Sequence, residues 1–277
     1  MRTTREPTVI ARRRRWSLGL FELWRHRELV WFLAVRDVKV RYKQTVFGVG
    51  WAVLQPALGM AVFALVIGRL AGLDHTTGSV PYPLYAFVAL LPWQLFARGL
   101  TEGSTSLITN RNLITKVYFP RAAIPLAPVA AAVIDFACAF GVLVPAMLLM
   151  GVQPGGSLLL VPVALAGACA VAAAVSLCLS AVVTVLKDVR HTLPLVSQLW
   201  LFLSPVAYPA VIVPERWHAV YGLNPMAGVI ELFRWAVFAD APPSFPIVAS
   251  SAIVTVLALG GGLLLFHRLE PRFADTV

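Results

Sequence analysis

Residues able to do chemistry are sparse in this chain of 277 residues, and their spacing is more telling than their number. No GxxxxGK[ST] phosphate loop occurs, so the chain does not bind ATP by that route. HExxH, a Cys/His cluster and a DxD pair are all missing, which weakens hydrolase, metal-site and metal-dependent glycosyltransferase readings. No metal site is expected. The cysteines, Cys138, Cys169 and Cys178, lie in apolar stretches without CxxC spacing and read as small packing residues. One acid, Asp135, falls inside a long apolar run. An ion-coupled carrier needs intramembrane acids as a relay. Asp135 reads either as such a group or as a structural carboxylate buried between helices and satisfied by a neighbour. Arg98 lies at a comparable depth.

The elements that must position these groups follow from composition. The chain is 59% hydrophobic and 13% charged, with a mean hydropathy of +0.79, too little polar surface to sheath a soluble core. It is an integral membrane protein. Its net charge of +10 places cations at a membrane face. The stretch "RDVKVRYKQTVFGVGWAVLQP" (36–56) changes character halfway. Arg36, Asp37, Lys39, Arg41 and Lys43 give way to a run with no charge until Arg69. Upstream, Leu20, Trp24, Trp31, Val35, Val38 and Tyr42 recur at helical spacing, opposite Arg25, His26, Asp37, Lys39 and Lys43. That pattern predicts an amphipathic helix lying along the inner surface, with a tryptophan-rich apolar side. "ARRRRW" (11–16) lacks the apolar run that a signal peptide needs behind it and reads as a basic cytoplasmic tail over residues 1–19.

A span needs about 20 apolar residues. Six stretches qualify, at about 46–68, 82–97, 122–150, 157–186, 191–213 and 245–266. The second is short and interrupted by Pro92; the third holds Pro125, Pro128, Pro145 and Asp135. Lys and Arg set the orientation. Twenty fall on the side of both termini and three (Arg69, Arg216, Arg234) on the other, so both ends are expected in the cytoplasm. The fold class is all-α, one polytopic membrane domain over 20–277.

Three connections carry further signals. "TNRNLITKVYFPR" (109–121) places Leu113, Ile114, Tyr118 and Phe119 between Lys116 and Arg121. It reads as a short cytoplasmic helix presented to a partner, or as an anchor for the third span. Residues 214–244 are too polar to span, with Asn224 as N-cap and Pro225 at the first helical position, and predict a short amphipathic helix dipping into the outer leaflet. Aromatics gather in the outer half of the spans. Phe87 is among them; Tyr82, Tyr85 and Tyr208 fit an interfacial belt, whereas Trp93, Phe96, Trp200 and Phe202 lie deeper. Those deeper rings either pack or line a carbohydrate passage.

The segments "RDVKVRYKQTVFGVGWAVLQP", "LLPWQLF", "NLITKVYFPR", "LKDVRH", "QLWLFLSPVAYP", "VPERWHAVYGLNPMAGVIELFRWAVF" and "HRLEPRFAD" resemble, in this order over 20–277, the membrane subunit of type-2 ABC exporters. Within these they are similar to the branch that exports O-antigens, teichoic acids, capsules and other cell-wall glycans. The resemblance implies a homodimer with the export path at its interface. It also implies two copies of a separate ATP-binding subunit that carries the ATP and Mg, with no cofactor on this chain. By the same likeness 20–43, including Trp24, Trp31 and Arg36, is the interface helix. The coupling helix is 109–121, with Leu113, Ile114, Lys116, Tyr118, Phe119 and Arg121. The outer gate is 214–238, with Pro214, Glu215, Trp217, Asn224, Pro225 and Met226. Arg69 and Arg98 are less expected in that likeness.

The implied cargo is a polyprenyl-pyrophosphate-linked polysaccharide, moved to the outer side of the bacterial inner membrane. Lys39, Arg41 and Lys43 are candidates for the pyrophosphate, or else bind lipid headgroups. Tyr85, Trp93, Phe96, Trp200 and Phe202 are candidates for the glycan path. Membrane lipids are expected partners; nucleic acid is not. Other readings are a type-2 exporter of a lipid or drug and an ion-coupled flippase, the latter weakened by the shortage of intramembrane acids.

Overall fold

A computed structural model describes residues 25–43, 45, 47–70, 80–116, 119–153, 155–239 and 242–273. Helices and short turns make up the described residues, and none forms a strand. That is the expected answer for a chain in hydrocarbon, where a helix satisfies its own backbone hydrogen bonds.

Helix α1 (Arg27–Tyr42) is followed by α2 (Trp51–Phe63), which widens into a π-helical coil over Ala64–Leu70. Next come α3 (Tyr82–Arg98), a second π coil (Gly99–Gly103) and α4 (Ser104–Thr109), continuous along one axis. The short α5 is Arg111–Lys116 and α6 is Ala123–Leu149. A 3-10 turn (Gly156–Leu160) leads into α7 (Val161–Val185), and α8 is Val189–Leu203. After turns at Ala210–Ile212 and Glu215–Trp217 come α9 (His218–Tyr221), α10 (Pro225–Phe238) and α11 (Phe245–Leu269).

Among the described residues, three helical stretches are long and apolar enough to cross a membrane: Ala123–Leu149, Gly156–Val185 and Phe245–Leu269. They coincide with the expected third, fourth and sixth spans. A shorter apolar stretch, Trp51–Val66, lies where the first was expected. The expected second span is longer than its apolar core, because helix carries through Pro92 and on past Gly99. Flanking helices hold α3 on most sides, which offsets the hydrogen bond the proline forfeits. The expected fifth span is shorter. Its helix ends at Leu203, where Ser204 adopts an extended backbone before Pro205.

Helix α3 forms the centre of the bundle. Leu84, Phe87, Leu91, Trp93, Leu95 and Phe96 are buried against α6, α7 and α10. Close approach at the end of α3 depends on glycine. A Cβ on Gly99 would lie 2.8 Å from the Ala172 methyl, and one on Gly103 would lie 1.9 Å from Ser176 Oγ. Helices α7 and α11 run along each other, α10 packs on both, and α1 lies against α6.

The stripe expected along α1 divides. Trp31 is 59% exposed, Val35 and Val38 are half-buried and Tyr42 is buried, while Leu33 and Ala34 supply the remaining buried contacts. Leu20 and Trp24 lie outside the described residues. The helix leaves a wide apolar side exposed (Trp31, Phe32, Val40) because its docking onto α6 is made largely by polar groups near its end.

Candidate functional site

The polar groups converge on the middle of α6. Asp135, 6% exposed, accepts from three donors on two other elements. Its Oδ2 receives Nη1 of Arg98, from the last turn of α3, and Nη1 of Arg41 at 2.7 Å. Its Oδ1 receives the Tyr42 hydroxyl at 2.8 Å. The second nitrogen of Arg41 pairs with Glu102, carried by the π coil that follows α3. Two guanidinium groups thus meet two carboxylates. A balanced set of this kind is tolerable in low dielectric, where a lone ion is not. Beside it lies a cavity of about 10 Å³, room for about one water molecule, lined by Gln94, Arg98, Asp135 and apolar side chains.

This arrangement alters the role expected of one cation. Arg41 points into the protein and pairs with two acids instead of facing a lipid-linked phosphate. Lys39 and Lys43 are exposed. Arg36 takes a bridging position: it pairs with Asp37 at 2.8 Å and donates to Asn110 Oδ1 at 2.9 Å. Asn110, capping the end of α4, donates back to Ser106 O at 3.0 Å. Helix α1 is therefore bonded both to the core of α6 and to the turn that launches α5.

In the 109–121 connection, Leu113 is half-buried on α5; Tyr118 and the side chains of Ile114 and Lys116 lie outside the described residues. Phe119 rests against the chain's own apolar cluster at the inner ends of the helices, and Arg121 Nη1 donates to Glu270 O at 2.7 Å. Both were expected either to face a partner or to anchor the third span. Here the C-terminal end of α11 offers them an apolar platform and the Glu270 carbonyl, which also accepts from the Phe273 backbone N–H. Arg69's side chain also lies outside the described residues.

Toward the other end, Asn224 is a hub. Its Oδ1 accepts from the Met226 backbone at 3.1 Å, capping α10, and from Trp200 Nε1 at 3.0 Å. Its Nδ2 donates to Ser204 Oγ at 2.9 Å. Trp200 also stands edge-on to Phe96 with ring centroids 5.0 Å apart, and Phe96 lies 5.2 Å from Trp93. Trp93 is 4% exposed and Phe96 fully buried, so both pack inside the chain instead of lining a path. Of the passage candidates, Phe202 is the exposed one at 54%. Tyr85 is half-buried beneath a cation: the Arg234 guanidinium carbon sits 3.6 Å above its ring.

Arg234 was counted among the three cations on the outer side, with no partner assigned to it. It is buried, donating to Val206 O at 2.9 Å and pairing with Glu231 at 3.2 Å. Its helix, α10, is buried along most of its length, Pro225 and Met226 included, so it packs as a core element of the chain. Pro214, Glu215 and Trp217, just ahead, are exposed. Tyr82 donates to Ala207 O at 2.6 Å, and Tyr221 donates to Tyr208 at 3.1 Å. Burial, together with that bond to Tyr208, pushes the Tyr221 hydroxyl well above its ordinary pKa, so it remains a donor at physiological pH. The three cysteines are free and half-buried.

A family model described as ABC-2 type transporter matches residues 28–238. An O-antigen export system permease protein RfbA of Klebsiella pneumoniae is 28% identical over 251 residues, covering 90% of this chain and 95% of that protein. A protein of the same name from Myxococcus xanthus is 28% identical over 265 residues, covering 92% and 98%.

Proposed function

Since this chain belongs to the ABC-2 type transporter family, as a membrane permease subunit, we propose that it exports a lipid-linked polysaccharide across the bacterial inner membrane. The observation that carries this reading is its likeness to O-antigen export permeases along nine-tenths of its length. The sugars need a protein passage because their hydroxyls would go unsatisfied in hydrocarbon. In this reading two copies of the chain form the passage between them. Two ATP-binding subunits dock beneath and hold the ATP and Mg. The six expected spans place both termini in the cytoplasm.

The geometry supports a route for the ATP-driven motion. A partner pressing on α5 and α1 moves them together, because Arg36 joins α1 to Asn110 at the start of α5. The same displacement reaches the bundle through Arg41 and Tyr42, both held by Asp135 in α6. Two populations, inward-open and outward-open, are then biased by one rigid linkage. Lys39 and Lys43 are the cations positioned for the pyrophosphate. Phe202 and Trp217 are two exposed rings on which sugar faces can stack.

Depletion of the protein in its native host tests the cargo. The expected result is accumulation of a polyprenyl-linked glycan on the cytoplasmic side, reversed by re-expression. Unchanged levels and sidedness of every lipid-linked glycan would overturn it.

A further inference from the structure

A second apolar core, separate from the main one, lies where four helices end on the inner side. Leu107 of α4, Ile124 of α6, Leu177 and Ala181 of α7, and Leu263 and Phe266 of α11 are buried there together with Phe273. Phe273 reaches this core because α11 stops at Leu269. Pro271 then starts a 3-10 turn, Glu270–Arg272, which swings the chain back under the bundle. The ring is 0% exposed and stands edge-on to Phe266, with centroids 5.2 Å apart.

The connection between α4 and α6 rests on this core. Phe119 and Ala122 pack against it, and Arg121 donates to the carbonyl of Glu270 at 2.7 Å. The beginning of the same connection is held by Arg36 through Asn110. Helix α5 is thus strung between two fixed points, one on α1 and one on the C-terminal turn. A push on α5 moves the bundle only if the chain behind it does not yield. Further along the chain from α5, Phe119 and Arg121 meet this core and Glu270, and Phe273 ties the same core to Phe266 of α11.

We propose that Phe273 and the Arg121–Glu270 bond are positioning elements for ATP coupling, carrying load from α5 into the last membrane helix. This rests on the coupling role given to α5 above. A purely local packing role would affect stability alone; a positioning role changes how much export each ATP yields.

The test uses the full chain with its ATP-binding subunit, reconstituted in proteoliposomes and supplied with lipid-linked glycan from the native host. Phe273→Ala and Arg121→Met are each expected to insert, to retain the ATP-binding subunit and to permit ATP turnover. Export per ATP should fall by about tenfold, the scale of losing one charge-assisted hydrogen bond. Phe273→Leu, which refills most of the volume, should recover most of it. A cysteine at Asn112 on α5, cross-linked to the ATP-binding subunit, separates the two levels of the argument. No cross-link in the otherwise unaltered complex would remove the coupling role of α5 and this proposal with it. A normal cross-link with unchanged export per ATP in both variants would overturn the positioning role alone. Should Phe273→Ala fail to fold, Arg121→Met decides the matter, since it leaves the apolar core intact.

Discussion

Arg41 and Asp135, separated by 94 positions in sequence, are joined at 2.7 Å between the end of α1 and the middle of α6, a helix long and apolar enough to cross a membrane. A surface helix held only by lipid would not need such a bond. Here the carboxylate has three donors, Arg41, Tyr42 and Arg98. Each can be removed separately.

Asp135→Leu should be the most damaging change in this group, because it strands the Arg98 guanidinium in low dielectric and leaves Arg41 with Glu102 alone. Breaking a buried pair by removing one partner costs about 3–5 kcal/mol. Arg41→Met should cost less, since Arg98 and Tyr42 still satisfy the acid. Apparent melting temperatures of the detergent-solubilised proteins should follow that order. Equal effects would mean that the cluster is not an interdependent unit.

Arg36→Ala and Asn110→Ala should each lower export per ATP without changing membrane insertion. Because the two groups bond to each other, the double variant should be scarcely worse than either single one. A double-mutant cycle on coupled transport measures this, and simple additivity would show that the bond transmits nothing.

Trp93 and Phe202 should separate packing from passage. Trp93→Ala opens a cavity in the core and should cost about 3–5 kcal/mol of stability. Phe202→Ala, at an exposed position, should leave the melting temperature nearly unchanged and slow glycan export. If Phe202→Ala exports normally, its ring faces lipid instead of cargo.

Purified without partners, the chain should show no ATP turnover, since no phosphate-cradling loop is present in its sequence. Turnover should appear on co-purification with the ATP-binding subunit. Robust activity in the isolated chain would contradict the two-subunit reading.

Topology can be read by labelling after the native cysteines are replaced. A cysteine at Thr115 should react with impermeant reagent only from the cytoplasm, and one at Ser79 only from outside. The reverse pattern would invert the six-span arrangement.

Long apolar runs made α6, α7 and α11 legible in the sequence, in α6 despite Asp135 and its prolines. Asn224–Pro225 marked the start of α10, and the Asn224 side chain does accept from Met226. Which face of each helix is buried was far less legible. In a membrane, lipid-facing and core-facing sides are both apolar, so hydropathy periodicity loses its contrast. Trp93 and Phe96 were therefore read as passage candidates although they pack inside. Arg234 could be assigned a side of the membrane by its charge, but not its burial, which a tyrosine face and backbone carbonyls accommodate. Asp135 stood out as an isolated acid, with Arg98 noted at similar depth. That Arg41 would reach it from another helix depended on tertiary geometry invisible in local pattern.

The π coil at Gly99–Gly103 has one more consequence. Each residue of an α-helix advances about 100° around its axis, so a stretch wound more loosely shifts the angular phase of everything beyond it. On one side of the coil, Trp93, Phe96 and Arg98 face the main core and Asp135. On the other, Leu107 faces the second core and Asn110 meets Arg36. Rewinding those five residues to ordinary helix would rotate one set against the other. The coil acts as a fixed angular offset, allowing one continuous rod to address two separate cores.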